Sequence, residues 1–158
     1  MNNTKTVSIV ALCLFVIAVL ACNATTANIS SFKLAKDKEG KNAASDFKSG
    51  EAIYGLAQIS NNGGKVKVKF RLVADNVKGM NAGETVKGSE TTVDLEGDGV
   101  ATYTLTTQAG SPPGGSYKVV AEMLYNDEKK DEKSASFKLA GAETGSPTES
   151  EKEPEGEK

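Results

Sequence analysis

The chain of 158 residues contains no histidine and no tryptophan, and its only cysteines are Cys13 and Cys22. Without histidine the usual Ser/His/Asp and Cys/His nucleophile pairs are excluded. With only two cysteines besides, the common zinc sites are excluded too. Charge of one sign is also missing where folding takes place. Setting aside Lys5 and the two lysines and six glutamates of residues 141–158 leaves 16 basic and 15 acidic residues. That near-neutral balance lacks the concentrated basic surface of a nucleic-acid binder, and RNA-binding and zinc-finger signatures are absent, so no nucleic-acid partner is expected.

Long apolar runs are scarce as well. The one present, Val7 to Ala21 interrupted by Ser8, falls short of the roughly 20 apolar residues that cross a bilayer. It follows a polar start with a single charge, Lys5, and ends in small residues, which is the pattern of an export signal over residues 1–21. At its exit stand Val19, Leu20, Ala21 and Cys22. This "VLAC" resembles the lipobox of bacterial lipoproteins. The resemblance implies cleavage after Ala21, a diacylglyceryl group on the Cys22 thiol and an acyl chain on the new amino terminus. Cleavage at Ala21, Ala24 or Ala27 without lipid is the alternative, and it strands an unpaired cysteine in an oxidising compartment or makes its placement accidental. Two or three chains hold a protein stably at a membrane, because each buried methylene contributes about 0.8 kcal/mol. Residues 22–29 then form a lipidated cysteine and short linker. Asn23 is not the aspartate associated with inner-membrane retention, which favours the outer membrane in a two-membrane cell.

From residue 30 to 140 the dominant signal is alternation with a period of two. In "KVKVKFRLV", Val66, Val68, Phe70 and Leu72 share one face while Lys65, Lys67, Lys69 and Arg71 share the other. Weaker alternation in "SFKLA", "AIYGLAQI", "TTVDL", "VATYTLTT", "SYKVVAEMLY" and "SASFKLA" brings the expected strands to seven. "NNGG", "EGDG", "GSPPGG" and the charged "NDEKKDEK" at 126–133 are the expected connections. Short antiparallel strands at this spacing predict an all-β, two-sheet sandwich with Phe32, Phe70, Tyr103, Tyr117 and Phe137 in its core. Residues 141–158, with no aliphatic side chain larger than alanine, are expected to form a disordered acidic tail.

Two segments carry a second resemblance. "GGSYKVVAEM" resembles the sixth strand of immunoglobulin-like and fibronectin type III-like domains, with Tyr117 in the tyrosine place and Val119 in the place antibody domains give to cysteine. "DFKSGEAIYGLAQISNNGGKVKVKF" is similar to the opening of immunoglobulin-like modules in bacterial envelope proteins. The implied fold is a single Ig-like sandwich over residues 30–140.

Three groups of residues invite a site. The row Lys65, Lys67, Lys69 and Arg71 spans about 20 Å and offers a surface for an anionic ligand, although a solvated sheet face with cross-strand carboxylates such as Glu122 is the favoured reading, since exposed charge on one strand face is normal for an antiparallel sandwich. Asp94, Glu96, Asp98 and Gly99 match the first half of a calcium loop, but its twelfth position is Leu105 where a carboxylate is required, so a tight turn is expected and no metal site. Asp127, Glu128, Asp131 and Glu132 alternate with lysines, the look of a solubilising loop rather than a glycosidase pair.

The sequence therefore predicts an exported, lipid-anchored cell-envelope lipoprotein whose Ig-like domain is a non-catalytic binding or structural module. It has no cofactor beyond the chains on Cys22. Its partners are a membrane and an envelope protein or glycan. An unanchored secreted or periplasmic accessory or adhesin-like subunit is the alternative, and a carboxylate-dependent hydrolase a more distant one. Cys22→Ser is expected to move the chain from the detergent phase to the aqueous phase on phase separation; a variant that still partitions into detergent would sink the anchor.

Overall fold

A computed structural model describes residues 25–108 and 111–141. The signal at 1–21, Cys22 and the tail beyond residue 141 lie outside the described residues. Eight strands follow in order: β1 (Asn28–Ala35), β2 (Asp46–Phe47), β3 (Ala52–Ser60), β4 (Lys65–Val77), β5 (Thr91–Glu96), β6 (Gly99–Thr106), β7 (Gly115–Tyr125) and β8 (Glu128–Leu139). They form two sheets, one ordered β1-β3-β6 and the other β2-β8-β7-β4-β5. No helix of the described residues is long and apolar enough to cross a membrane.

The seven expected strands are all present, and three details differ from expectation. The eighth strand, β2, is two residues long and pairs with the end of β8 in parallel, Asp46 against Lys138 and Phe47 against Leu139, so the chain changes sheets between β1 and β2. The pairing is therefore not wholly antiparallel. The third difference concerns 126–133, of which only Asn126 and Asp127 are turn while 128–133 are strand. Asn126 and Asp127 have φ of 53° and 61°, a two-residue hairpin turn that asparagine and aspartate tolerate well, and β8 starts immediately after it. Period-two reading missed this stretch because Asp131, opposite buried Met123, sits at an inward position. Its carboxylate accepts the Ile29 N–H at 2.8 Å, so a charge where an apolar residue was expected ties the start of β1 to the opposite sheet.

Alternation places the core between the sheets. From β4, Val66, Val68, Phe70 and Leu72 are buried, and from β7, Tyr117, Val119, Ala121 and Met123 meet them. Sheet β1-β3-β6 answers with Ile53, Ala57, Ile59, Ala101 and Tyr103. Phe70 stacks on Tyr103 with ring centroids 5.5 Å apart, and Phe32, only partly buried, lies 6.2 Å from Phe70. Gly55 makes this possible. A Cβ there would stand 3.3 Å from the Phe32 ring and 3.4 Å from the Tyr103 Cβ.

At the other end Tyr117 stacks on Phe137 at 5.6 Å, and Phe47 meets Phe137 edge to face at the same distance. Phe47 was not among the expected core aromatics; it is buried because β2 joins the sheet edge. The Tyr117 hydroxyl donates to the Pro113 carbonyl at 2.6 Å. The Tyr103 hydroxyl donates to the Ser89 carbonyl at 3.0 Å, and burial pushes its pKa up to about 12. Among the described residues every buried side-chain polar atom has a partner. Phe70→Ala is expected to cost about 3–5 kcal/mol and Tyr117→Phe about 1 kcal/mol in urea unfolding. Equal losses at the two positions would contradict this account of the core.

Candidate functional site

The outer face of β4 carries Lys65, Lys67, Lys69 and Arg71 as expected, but three of the four are paired. Lys65 lies 3.7 Å from Glu96 and Lys67 2.7 Å from Asp127. Arg71 lies 3.6 Å from Glu122 and 3.7 Å from Glu132, and Lys129 bridges the same two carboxylates. Cross-strand register explains the pairing, since β5 presents Asp94 and Glu96 and β7 presents Glu122 beside the row. Lys69, opposite Thr92 and Glu122, has no carboxylate at ion-pair distance among the described residues. A groove of about 540 Å³ beside Lys65 and Lys67 is lined also by Asp94, Glu96 and Asp127, so its carboxylates outnumber its lysines.

The other sequence candidates disperse. Asp98 accepts the Asn62 N–H at 2.7 Å, and Gly97 at φ +74° turns the chain from β5 in one sheet to β6 in the other. Among the described residues no three acidic, cysteine or histidine side chains gather as a metal site. Of the clustered carboxylates, Asp127 meets Lys67, Glu128 meets Lys130, Asp131 accepts from Ile29 and Glu132 meets Lys129. They do not converge on one cleft.

A different place gathers cations. Where β2 lies on β8, near the start of β7, a concave surface of about 740 Å³ is lined by Lys36, Lys48 and Lys138 against the single acid Asp46. Phe47, Leu139 and Ala140 give it an apolar wall. Its floor includes Gly115, where a Cβ would stand 2.7 Å from the Asn76 carbonyl oxygen, so only glycine keeps β7 this close to β4. The Lys36 ammonium sits 5.7 Å from the Phe47 ring centroid and 3.1 Å from Glu51. The Glu51 carboxyl is held below its ordinary value by the Lys48 backbone N–H first and by Lys36 second. The Lys48 and Lys138 ammonium groups have no carboxylate at ion-pair distance among the described residues. No local spacing announces this cluster, because its lysines come from three separate segments that meet only when β2 docks on β8.

No protein-family model matches the chain, and no curated protein matches it. Among solved structures it is similar to the Pseudomonas fluorescens alkylpurine DNA glycosylase AlkC bound to DNA containing an abasic site analog, with 14% identity and a TM-score of 0.47. The likeness covers 75% of this chain and 31% of that one, so this chain spans about a third of the other's length. The activity and the DNA are that protein's own. Two expectations from the sequence differ from what that neighbour is and holds. One is the function as a lipid-anchored envelope lipoprotein with a non-catalytic Ig-like module, set against a neighbour that is a DNA glycosylase. The other is the exclusion of nucleic acid, set against a neighbour that holds DNA. Physically, a two-sheet scaffold hosts unrelated sites. An even charge total also conceals a local cluster such as Lys36, Lys48 and Lys138.

The Lys67 contact yields a pH test. Its hydrogen bond, and then its charge, lower the Asp127 carboxyl below the ordinary value of 3.8. The stabilisation from that lowered group is complete above the ordinary value and lost as pH falls through the depressed one. Lys67→Met is expected to return Asp127 toward its ordinary titration in a carboxyl-carbon NMR experiment and to alter acid unfolding only below about pH 4. An unmoved Asp127 would show that the pair does not form.

Proposed function

We propose that this chain is an anion receptor. It takes a phosphate- or carboxylate-bearing group into the concave surface formed by Lys36, Lys48 and Lys138. The observation that carries this reading is the pair of ammonium groups, Lys48 and Lys138, that line one surface without carboxylate partners at ion-pair distance among the described residues. Charge-assisted hydrogen bonds from such groups are about twice as strong as neutral ones, and the apolar wall of Phe47 and Leu139 shields one side from water. Lys36, already balanced by Glu51, shapes the rim.

The finer fold and the location belong to the same proposal. An Ig-like reading is supported by the strand order, by the passage of the first strand's continuation to pair in parallel with the last strand, and by the Tyr117 hydroxyl on Pro113 two residues before buried Val119. Attachment to an envelope membrane through lipid on Cys22 is supported by "VLAC" at the end of the apolar run. The receptor surface then works on ligands near that membrane.

Calorimetric titration of the full chain with inorganic pyrophosphate and with citrate tests the receptor. The double variant Lys48→Glu, Lys138→Glu is expected to bind at least about tenfold more weakly, the scale of losing one charge-assisted hydrogen bond. Lys65→Glu, on the opposite end of the sheet's paired row, is expected to leave affinity unchanged. Binding that survives the double variant and falls with Lys65→Glu would move the site to β4 and overturn the proposal.

A further inference from the structure

Each sheet has two edges, β1 and β6 in one and β2 and β5 in the other, and three of the four are blunted. Strand β1 carries a bulge between Ile29 and Ser31, and its far end is engaged by the following loop through Ala44 N–H to Leu34 and Lys36 N–H to Asn42. Strand β2 is two residues long. Strand β5 carries Asp94 and Glu96, and the part of β4 beyond it is covered by backbone bonds from residues 83–86. Bulges, short strands, charges and covering loops are the devices that keep sheet edges from recruiting another strand.

Strand β6 has none of them. Its eight residues, GVATYTLT, contain no charge and no proline, and they run in unbroken register with β3 from Gly99 to Thr106. Among the described residues no backbone bond from outside its own sheet reaches it. Ala101 and Tyr103 point into the core, while Val100, Thr102, Thr104 and Thr106 alternate with them on the outer face. Val100, 45% exposed, is the large hydrophobic residue that the described surface leaves open.

We infer that β6 is a self-association edge, and that it pairs antiparallel with β6 of a second copy of this chain. The uncharged side chains of this edge are compatible with a second copy of themselves, and that selects the occupant. A two-fold axis at Thr102 sets Val100 opposite Thr104, and an axis at Tyr103 sets Thr102 opposite Thr104 and Val100 opposite Thr106. Either register brings threonine and valine together with no like charges facing, a pairing that cross-strand neighbours favour. The same operation on β5 would bring Asp94 and Glu96 against their own copies. The edge carries no charge with which to choose a charged foreign strand. Pairing merges two three-stranded sheets into one of six strands, leaving the lysine-lined surface of the other sheet free in both copies.

Sedimentation of the purified full chain across a concentration series tests this. The wild type is expected to shift from monomer to dimer as concentration rises. Thr102→Lys and Thr104→Lys, which set lysines close to each other in the pair, are expected to weaken the dimer at least tenfold, while Lys69→Glu on the other sheet leaves it intact. Backbone hydrogen exchange of the wild type provides a reading independent of any variant's folding, with β6 amides gaining protection as the dimer forms. A chain monomeric at every concentration would overturn the inference. So would a dimer indifferent to both lysines, or β6 protection that appears only on adding an unrelated extended peptide.

Discussion

The Phe70 ring, stacked on Tyr103 and tilted against Phe32, is the contact through which the two sheets hold each other. It exists because β3 places Gly55 and Ala57 at successive inward positions, leaving room under the rings that larger side chains would fill. Tyr103 then extends its hydroxyl past the core to the Ser89 carbonyl, and Ser89 in turn accepts the Leu72 N–H and donates to Val86. The long connection between β4 and β5 is thereby secured to the strand on which Phe70 sits. Aromatic packing and buried hydrogen bonding are one structure here, since each tyrosine buries its ring only where its hydroxyl has a carbonyl to meet.

A second aromatic group, Tyr117, Phe137 and Phe47, performs the same service at the other end and builds the lysine-lined surface as a by-product. Phe47 is drawn in against Phe137, which brings Asp46 and Lys48 to the rim on either side of it. Because β2 pairs with β8 in parallel, Lys138 comes level with Asp46 and Leu139 with Phe47. The concave surface is thus a consequence of a strand changing sheets. Its charge comes from residues whose proximity no local pattern encodes.

Charge on the large sheet follows a different logic. The β4 row is conspicuous in the sequence because four cations alternate along one strand, yet β5, β7 and the β7–β8 turn bring carboxylates to three of them. Such exposed pairs contribute little stability individually. Their consequence is to quiet the field of the row, so that the sparser lysines at the far end of the sheet stand out. A reading that weighs charges strand by strand overrates the row and overlooks the cluster.

Alternation alone determined most of the architecture. Val66 to Leu72 and the six weaker runs placed seven strands, and Phe70, Tyr103, Tyr117 and Phe137 were placed in the core, because the pleat turns every second side chain to the same face. The lipobox resemblance at Cys22 likewise needed no fold to be seen. Tertiary structure decided what depends on neighbours distant in the chain. It added β2, whose two residues are too short to show a period, and the charged start of β8, whose inward Asp131 is explained only by the Ile29 amide across the sandwich. It also decided which cations are neutralised, which gather around Phe47, and that β6 is left as an edge. Pairing partners and sheet order are set by how surfaces pack, and one strand's pattern of apolar and polar residues records which face is buried without recording against what.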